Sequence, residues 1–159
     1  MAAIAPRLSR RHSVLLFVPL LWIGSASWGA ADQPAEVRGQ LSRIADSLTA
    51  GDAAGAMSPF SKSFGDYDKL RDYFTGLTSA FSIVNEVDVL AESDTGTESL
   101  LTIHWTMTLS DNQSSFTNQR AAEIHVRLVR GKDKWKINGF SPIDLFDPAD
   151  AQKPKTPRS

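Results

Sequence analysis

Residues 98–110 alternate apolar and polar side chains without interruption, and this alternation constrains the fold more than any other feature. The apolar positions are Leu101, Ile103, Trp105, Met107 and Leu109, and the polar positions between them are Thr102, His104, Thr106 and Thr108. A two-residue period is typical of a β-strand with one buried face. Because such a strand cannot cover its apolar face alone, the chain must form a sheet with a second layer against it.

Three further segments continue this period, which predicts strands over 81–92, 119–130 and 134–140. A turn cluster at 93–97, a polar loop at 111–118 and a glycine turn at 131–133 separate them. Pairing apolar with apolar positions places Val89 opposite Leu101, Ile103 opposite Val126, and Leu128 opposite Trp135. A shift of two residues would preserve the faces, so the pattern predicts a four-stranded antiparallel meander but leaves two-residue shifts open.

Before the sheet the period changes to that of helices. Residues 35–50 carry one apolar stripe, namely Val37, Leu41, Ile44 and Leu48. Asp52 is a predicted cap for a short helix over 53–58, and Asp66 is a predicted cap for a third helix. We therefore expect an α+β domain over 32–148, with N-terminal helices packed on a curved antiparallel sheet of four or more strands.

The first 31 residues are typical of a secretory signal peptide. Arg7, Arg10 and Arg11 precede an uncharged run from Ser13 to Gly24, and small residues follow it. The run is shorter than the roughly 20 residues that a membrane-spanning helix needs, so no stable membrane insertion is expected after cleavage. The sequence thus predicts export to the periplasm or the extracellular space. Residues 149–159 contain two prolines and three basic residues, which predicts a disordered tail.

Composition excludes several classes of function. The chain has no cysteine, which rules out disulfides, a thiolate nucleophile and cysteine-based zinc sites. A formal net charge of −1 gives no basis for general nucleic-acid binding. The sequence contains neither a glycine-rich phosphate loop nor a GxSxG nucleophile motif, and no cofactor is predicted.

The chain resembles the nuclear transport factor 2-like superfamily, which includes SnoaL-like proteins and has a cone-shaped, cystatin-like α+β fold. The similarity rests on the end of the first helix, 48–54, on the closing segment 134–137 with Phe140, and on 59–64 with 67–71. The last two features are most similar to small exported bacterial members without an assigned activity. This resemblance implies a pocket between the helices and the sheet, and often a dimer.

The apolar face of the predicted sheet and the facing helices would line that pocket. The candidate ligand-binding residues are Phe60, Phe64, Tyr67, Phe74, Asn85, Trp105, Met107, Val126 and Trp135. No Asp, Glu or His falls on an inward strand position in the predicted register. Proton abstraction needs such a group, so no catalytic residue is predicted. The alternative is that these aromatic side chains form a core, with Asn85 hydrogen-bonded locally.

The polar face of the sheet offers a second group. The predicted register places Glu86, His104 and His125 side by side, and two histidines with a carboxylate could form a facial metal triad. An exposed sheet face with ordinary cross-strand pairs explains the same residues, so no metal site is predicted.

Three functions remain open. The preferred hypothesis is an exported, non-enzymatic binding module whose apolar cone takes a small ligand or a protein partner. The first alternative is a SnoaL-like lyase, isomerase or cyclase. The second is a structural domain that forms a homodimer through its sheet.

The export hypothesis predicts a processed N-terminus. Small residues at positions −3 and −1 allow cleavage after Gly29 or Ala31. Mass spectrometry of the protein from its native compartment should therefore show a chain that starts at Ala30 or Asp32. An intact Met1 start on protein from the cytoplasm would contradict export.

Overall fold

Three helices form one layer of the structure. The computed structural model describes residues 33–151, so the predicted signal peptide lies outside the described residues. The helices are α1 (Gln33–Thr49), α2 (Ala53–Met57) and α3 (Tyr67–Ala80). The predicted stripe of α1 is buried, since none of Val37, Leu41, Ile44 and Leu48 exposes more than 2% of its surface. Within residues 33–151, no helix has the length and apolar character needed to cross a bilayer.

Local capping explains where α2 begins. The Asp52 carboxylate accepts a hydrogen bond of 2.8 Å from the Gly55 amide, as expected of an N-cap. Asp66 occupies the same position before α3, but its side chain makes no capping hydrogen bond. The predicted cap at Asp66 is therefore wrong in its hydrogen bond, although its position is right.

Four strands form the second layer in the order β1-β2-β3-β4, and every neighbouring pair is antiparallel. The strands are β1 (Phe81–Asp94), β2 (Glu98–Asp111), β3 (Thr117–Arg130) and β4 (Trp135–Ser141). Helices packed on this curved, unclosed sheet confirm the predicted α+β class. The register differs by two residues from the predicted one in β1–β2 up to Val89, throughout β2–β3, and in β3–β4 over 128–130. Val89 therefore lies opposite Ile103, and Leu101 lies opposite Val126. A shift of two keeps each side chain on its face, which is why the predicted faces are right in β2 and in β1 up to Val89.

A β-bulge in β1 overturns one prediction. Val89 pairs with Ile103, but Ala91 pairs with Thr102, so Leu90 is an extra residue in the strand. The bulge inverts the alternation beyond it and brings Glu92 opposite the buried Leu101. The expectation that no carboxylate faces inward is therefore wrong at Glu92.

A second irregularity lies between β3 and β4. Leu128 pairs with Ile137 and Arg127 pairs with Gly139, so Asn138 is left over on β4. Next to β4, Phe60 forms a parallel bridge to Ile137. Pro59 and Ser61 complete this contact, because the Ile137 carbonyl accepts from the Ser61 amide at 2.8 Å and its amide donates to Pro59 at 3.0 Å. The segment before α3 thus covers the outer edge of β4.

After β4 the chain turns back and packs against α3 and β3. A cis Ser141–Pro142 bond leads into a 3-10 helix at 144–146 and then into α4 (Pro148–Ala151). Arg120 on β3 donates to the carbonyls of Asp144 (2.8 Å) and Asp147 (2.9 Å). Burial lowers the pKa of Arg120, while the nearby Asp side chains act in the opposite direction. This C-terminal strap, residues 142–151, carries Phe146 into the core.

The end of the strap differs from the predicted disordered tail. Residues 149–151 belong to α4, Ala151 is fully buried, and its carbonyl accepts from Asn118 at 3.0 Å. The predicted disordered segment therefore begins three residues too early. Its sequence shows no hydrophobic periodicity, so the burial of Ala151 could not be predicted from it. The rest of that segment lies outside the described residues.

The face assignment of β2 can be tested at two adjacent residues. Trp105 is fully buried and His104 is exposed on the opposite face. Trp105→Ala should lower the free energy of unfolding by about 3–5 kcal/mol, because it removes a large core side chain. His104→Ala should change it by about 0.5 kcal/mol or less. Urea denaturation of both variants measures the difference, and a larger loss in His104→Ala would contradict the assignment.

Candidate functional site

The predicted pocket residues lie in the interior, between the helices and the sheet. Phe60, Phe64, Phe74, Trp105, Met107, Val126 and Trp135 are buried, with at most 7% exposure. Tyr67 and Asn85 are partly buried at the margin of the same cluster. The structure therefore brings all nine into one apolar layer.

Aromatic rings occupy that layer. Phe146 lies 5.2 Å from Phe74 and 5.3 Å from Trp105 between ring centroids, and both contacts are edge-to-face. Phe140 makes edge-to-face contacts with Phe60 at 5.3 Å and with Trp105 at 6.2 Å. Edge-to-face pairs at these distances are favourable core contacts. In the described part of the chain, these rings fill the space that the sequence analysis assigned to a ligand.

Asn85 is the polar group within this layer, and its hydrogen bonds are internal. The Trp105 indole N–H donates to Asn85 Oδ1 at 3.0 Å. Asn85 Nδ2 lies 3.2 Å from both the Ala45 carbonyl and Thr49 Oγ1 on α1. The side chain thus connects α1 to the sheet, which is a structural role.

The metal candidates on the outer face are not grouped as predicted. His104 lies opposite Asp88 and Glu123, whereas Glu86 lies opposite Thr106. His125 is next to Thr102, with Nδ1 3.3 Å from Thr102 Oγ1. The two-residue difference in register separates the three predicted ligands. Within residues 33–151, no three His, Cys, Asp or Glu side chains form a group that could hold a metal ion.

A groove of about 440 Å³ crosses all four strands, and every residue that lines it belongs to the sheet. By register most of its lining residues belong to the outer face, whereas Glu92 and Leu101 belong to the inner face; its lining is largely apolar. We call it the outer groove; its residues are Ala91, Glu92, Ser93, Leu100, Leu101, Thr102, His125, Val126, Arg127, Gly139, Phe140 and Ser141. Leu100, which is 49% exposed, contributes a large exposed apolar side chain to the groove lining.

The two strand irregularities lie at the two ends of the outer groove. The β1 bulge at Leu90 comes directly before Ala91, and the extra residue Asn138 comes directly before Gly139. Bulges bend a strand and increase its twist, which makes a concave surface in an otherwise regular sheet. A Cβ on Gly139 would lie 3.0 Å from Arg127 Cβ, a tight contact, and the absence of a side chain at Gly139 leaves space in the groove.

Sequence analysis missed the outer groove, although two signals mark it. The adjacent apolar pair Val89 and Leu90 breaks the alternation of β1, and an isolated glycine at 139 interrupts β4. A glycine inside a strand often indicates a bulge or a close approach of chain segments. Together these signals could have placed the bulges and therefore the groove.

Glu92 and Arg127, the two charged residues that line the outer groove, are each paired with a residue outside its lining. Arg127 donates to the Glu98 carboxylate, and this hydrogen bond raises the pKa of Arg127. Glu92 Oε2 accepts from Arg38 at 2.9 Å, while Glu92 Oε1 is buried without a hydrogen-bond partner in the described residues. The groove therefore suits an uncharged, apolar molecule, with His125 as a polar group at its side.

No family model and no curated protein matches the sequence, whereas solved structures match the fold. A conserved protein from Planctomyces limnophilus has a TM-score of 0.64 at 9% identity, over 70% of this chain and 94% of that one. A ketosteroid isomerase-like protein from Erwinia carotovora atroseptica has 0.58 at 8% identity, over 70% and 95%. A nuclear transport factor 2-like superfamily protein from Salmonella enterica has 0.53 at 13% identity, over 67% and 88%.

Identities this low carry information on architecture and none on chemistry. The fold that the sequence resemblance implies is confirmed by these structures and by the observed layers. The chain therefore has the cone-shaped α+β fold of the nuclear transport factor 2-like superfamily.

Proposed function

We propose that this protein is a non-enzymatic binding module that holds a small apolar molecule in the outer groove. The observation that carries the proposal is a concave, largely apolar surface of about 440 Å³ on a sheet whose other face is already packed. Small-molecule sites commonly have roughly 300–1,000 Å³, an apolar lining and a few polar groups that orient the ligand. The module acts after export, which the N-terminal sequence supports.

Three contacts would determine which molecules fit. Leu100 provides an exposed apolar side chain, and Gly139 leaves space opposite Arg127. His125 has one ring nitrogen near Thr102 and the other 3.9 Å from Glu123 Oε1. The preferred ligand is therefore an apolar molecule with one uncharged polar group that can hydrogen-bond to His125.

The groove can be tested with Nile red, an uncharged dye that fluoresces in apolar surroundings. Leu100→Glu places a carboxylate in the groove and should weaken dye binding at least tenfold, because burying that charge is costly. Val84→Glu is the matched control, since Val84 is 65% exposed on the same face but does not line the groove. Fluorescence titration should show that Val84→Glu binds Nile red with an affinity within about twofold of the wild-type protein.

The same pair of variants separates ligand binding from dimerisation. Val84 and Leu100 are both exposed apolar residues on the outer face, which favours a sheet-to-sheet dimer as a competing function. Sedimentation velocity should give a monomer for the wild-type protein. A wild-type dimer that both substitutions dissociate, together with no dye binding, would overturn the ligand proposal in favour of the structural domain.

A lyase, isomerase or cyclase is a second candidate, and Glu92 is the observation in its favour. Its carboxylate turns inward at the β1 bulge and keeps one buried oxygen without a partner in the described residues. A general base must also reach a substrate proton. Glu92 is instead ion-paired with Arg38, and the aromatic rings described above occupy the layer between the helices and the sheet.

Hydrogen exchange at a carbon acid tests this second candidate directly. Isomerases of this type remove a proton next to a carbonyl, so a general base in the fold should accelerate deuterium incorporation into cyclohexanone in D₂O. We expect that NMR will show the same rate of deuterium incorporation with the protein as in buffer alone. Acceleration that Glu92→Gln abolishes and Glu123→Gln, on the exposed face, preserves would establish Glu92 as a base and contradict the non-enzymatic proposal.

A further inference from the structure

Two adjoining concavities lie at the edge of β4, separate from the outer groove. The larger one, about 440 Å³, lies between α2 and the segment before α3; its lining is Ala54, Met57, Ser58, Phe60, Ser61, Lys62, Tyr67 and Lys136. The smaller one, about 240 Å³, lies at the β3–β4 hairpin; its lining is Ser61, Ser63, Val129, Arg130, Gly131, Lys136 and Asn138. They share Ser61 and Lys136, and neither shares a lining residue with the outer groove.

The charge around these concavities has one sign. Lys62, Arg130 and Lys136 line them, and neither lining contains Asp or Glu. The whole chain has 18 acidic and 17 basic residues, so a surface with cations alone is a local departure from its composition. Among the described residues, no ion pair within 4.0 Å neutralises these three cations.

Lys136 lies where the two concavities meet, and its surroundings are unfavourable for its own charge. Its ammonium donates to the Ser58 carbonyl, which holds it over the chain edge. Burial lowers the pKa of Lys136, and the positive charges of Lys134 and Arg43 lower it further. An anion bound next to Lys136 would relieve this repulsion, so the cluster favours an anionic ligand.

Hydrogen-bond donors surround the smaller concavity. Ser63 Oγ donates to Asn138 Oδ1 at 3.1 Å, and Ser61 Oγ lies 2.7 Å from Ser63 Oγ. These hydrogen bonds occupy the amide oxygen of Asn138, so its NH₂ group can donate to a ligand. Arg130 lies over the Trp135 ring, with its guanidinium carbon 5.9 Å from the ring centroid. Arg130, Lys136 and Asn138 all line this concavity, and guanidinium, ammonium and amide donors match a group with several acceptor oxygens.

We propose that this edge of the fold binds a small soluble phosphate monoester. The phosphate would occupy the smaller concavity against Arg130, Lys136 and Asn138, and the apolar part of the molecule would lie on Met57 and Phe60 in the larger one. A phosphate monoester carries roughly −1.5 to −2 charges and three acceptor oxygens, whereas a carboxylate offers one charge and two oxygens. The donor set therefore favours phosphate over carboxylate.

Phenyl phosphate is the probe, and isothermal titration calorimetry on the protein recovered after expression of the full chain is the measurement. Phenyl phosphate should bind at least fivefold more tightly than inorganic phosphate, because its ring reaches the larger concavity. Phenol should not bind measurably. Equal affinity for phenyl phosphate and inorganic phosphate, or stronger binding of benzoate, would overturn the proposed ligand class.

Substitutions locate the site. Lys136→Met should weaken phenyl phosphate binding at least tenfold, and Lys62→Met, which removes an exposed cation, should weaken it about threefold or more. Arg71→Met is the matched control, because Arg71 pairs with Asp68 and Asp72 on its own helix, and it should leave the affinity within twofold. Equal losses in all three variants would mean a general charge effect and would overturn the site.

Lipid headgroups present the same phosphate chemistry, and vesicles distinguish that source. Phosphatidylglycerol vesicles should not sediment the protein at physiological ionic strength. Sedimentation with vesicles, without measurable binding of phenyl phosphate, would overturn the soluble ligand. Leu100→Glu should leave phenyl phosphate binding unchanged, so this site and the outer groove can fail independently.

Discussion

The indole of Trp105 is the group on which both layers of this fold depend. Its N–H donates to Asn85, whose amide reaches the end of α1, and its ring contacts Phe140 on β4 and Phe146 on the strap. One side chain therefore joins the helices, the sheet centre and the C-terminal segment. Most buried polar groups have a hydrogen-bond partner, and the bond to Trp105 accounts for a polar asparagine in an otherwise apolar layer. The buried Trp135 indole N–H, in contrast, has no partner among the described residues.

The sequence was sufficient for the elements and their faces because period and burial are directly related. Leu101 to Leu109 lie inside as predicted, and α1 buries the predicted stripe. The register could not be predicted, since a shift of two residues leaves every face unchanged and only turn geometry decides between the alternatives. The bulge at Leu90 was missed for a similar reason: one extra residue reverses the alternation, and Glu92 becomes an inward residue.

The ligand site proposed here lies on the surface of the sheet and not in the predicted interior pocket, and the reason is physical. The predicted pocket residues were identified correctly as one cluster, but sequence cannot show whether a cluster of rings leaves space or fills it. Phe146 occupies space within this cluster, because the strap places its ring in contact with both Phe74 and Trp105. The concave surfaces instead arise where regular pairing fails, at the bulges next to Ala91 and Gly139 and along the bridge from Phe60 to Ile137.

The position of the strap in the chain has a consequence for how the protein is made. Synthesis proceeds from the N-terminus, so a growing chain exposes Trp105 and Phe74 long before Phe146 becomes available to cover them. The strand pairs and the strap contacts also join residues that are far apart in the sequence, which slows the formation of structure in partial chains. The helices and the sheet therefore cannot reach their final packing until residues 142–151 have been made and Phe146 has joined Phe74 and Trp105.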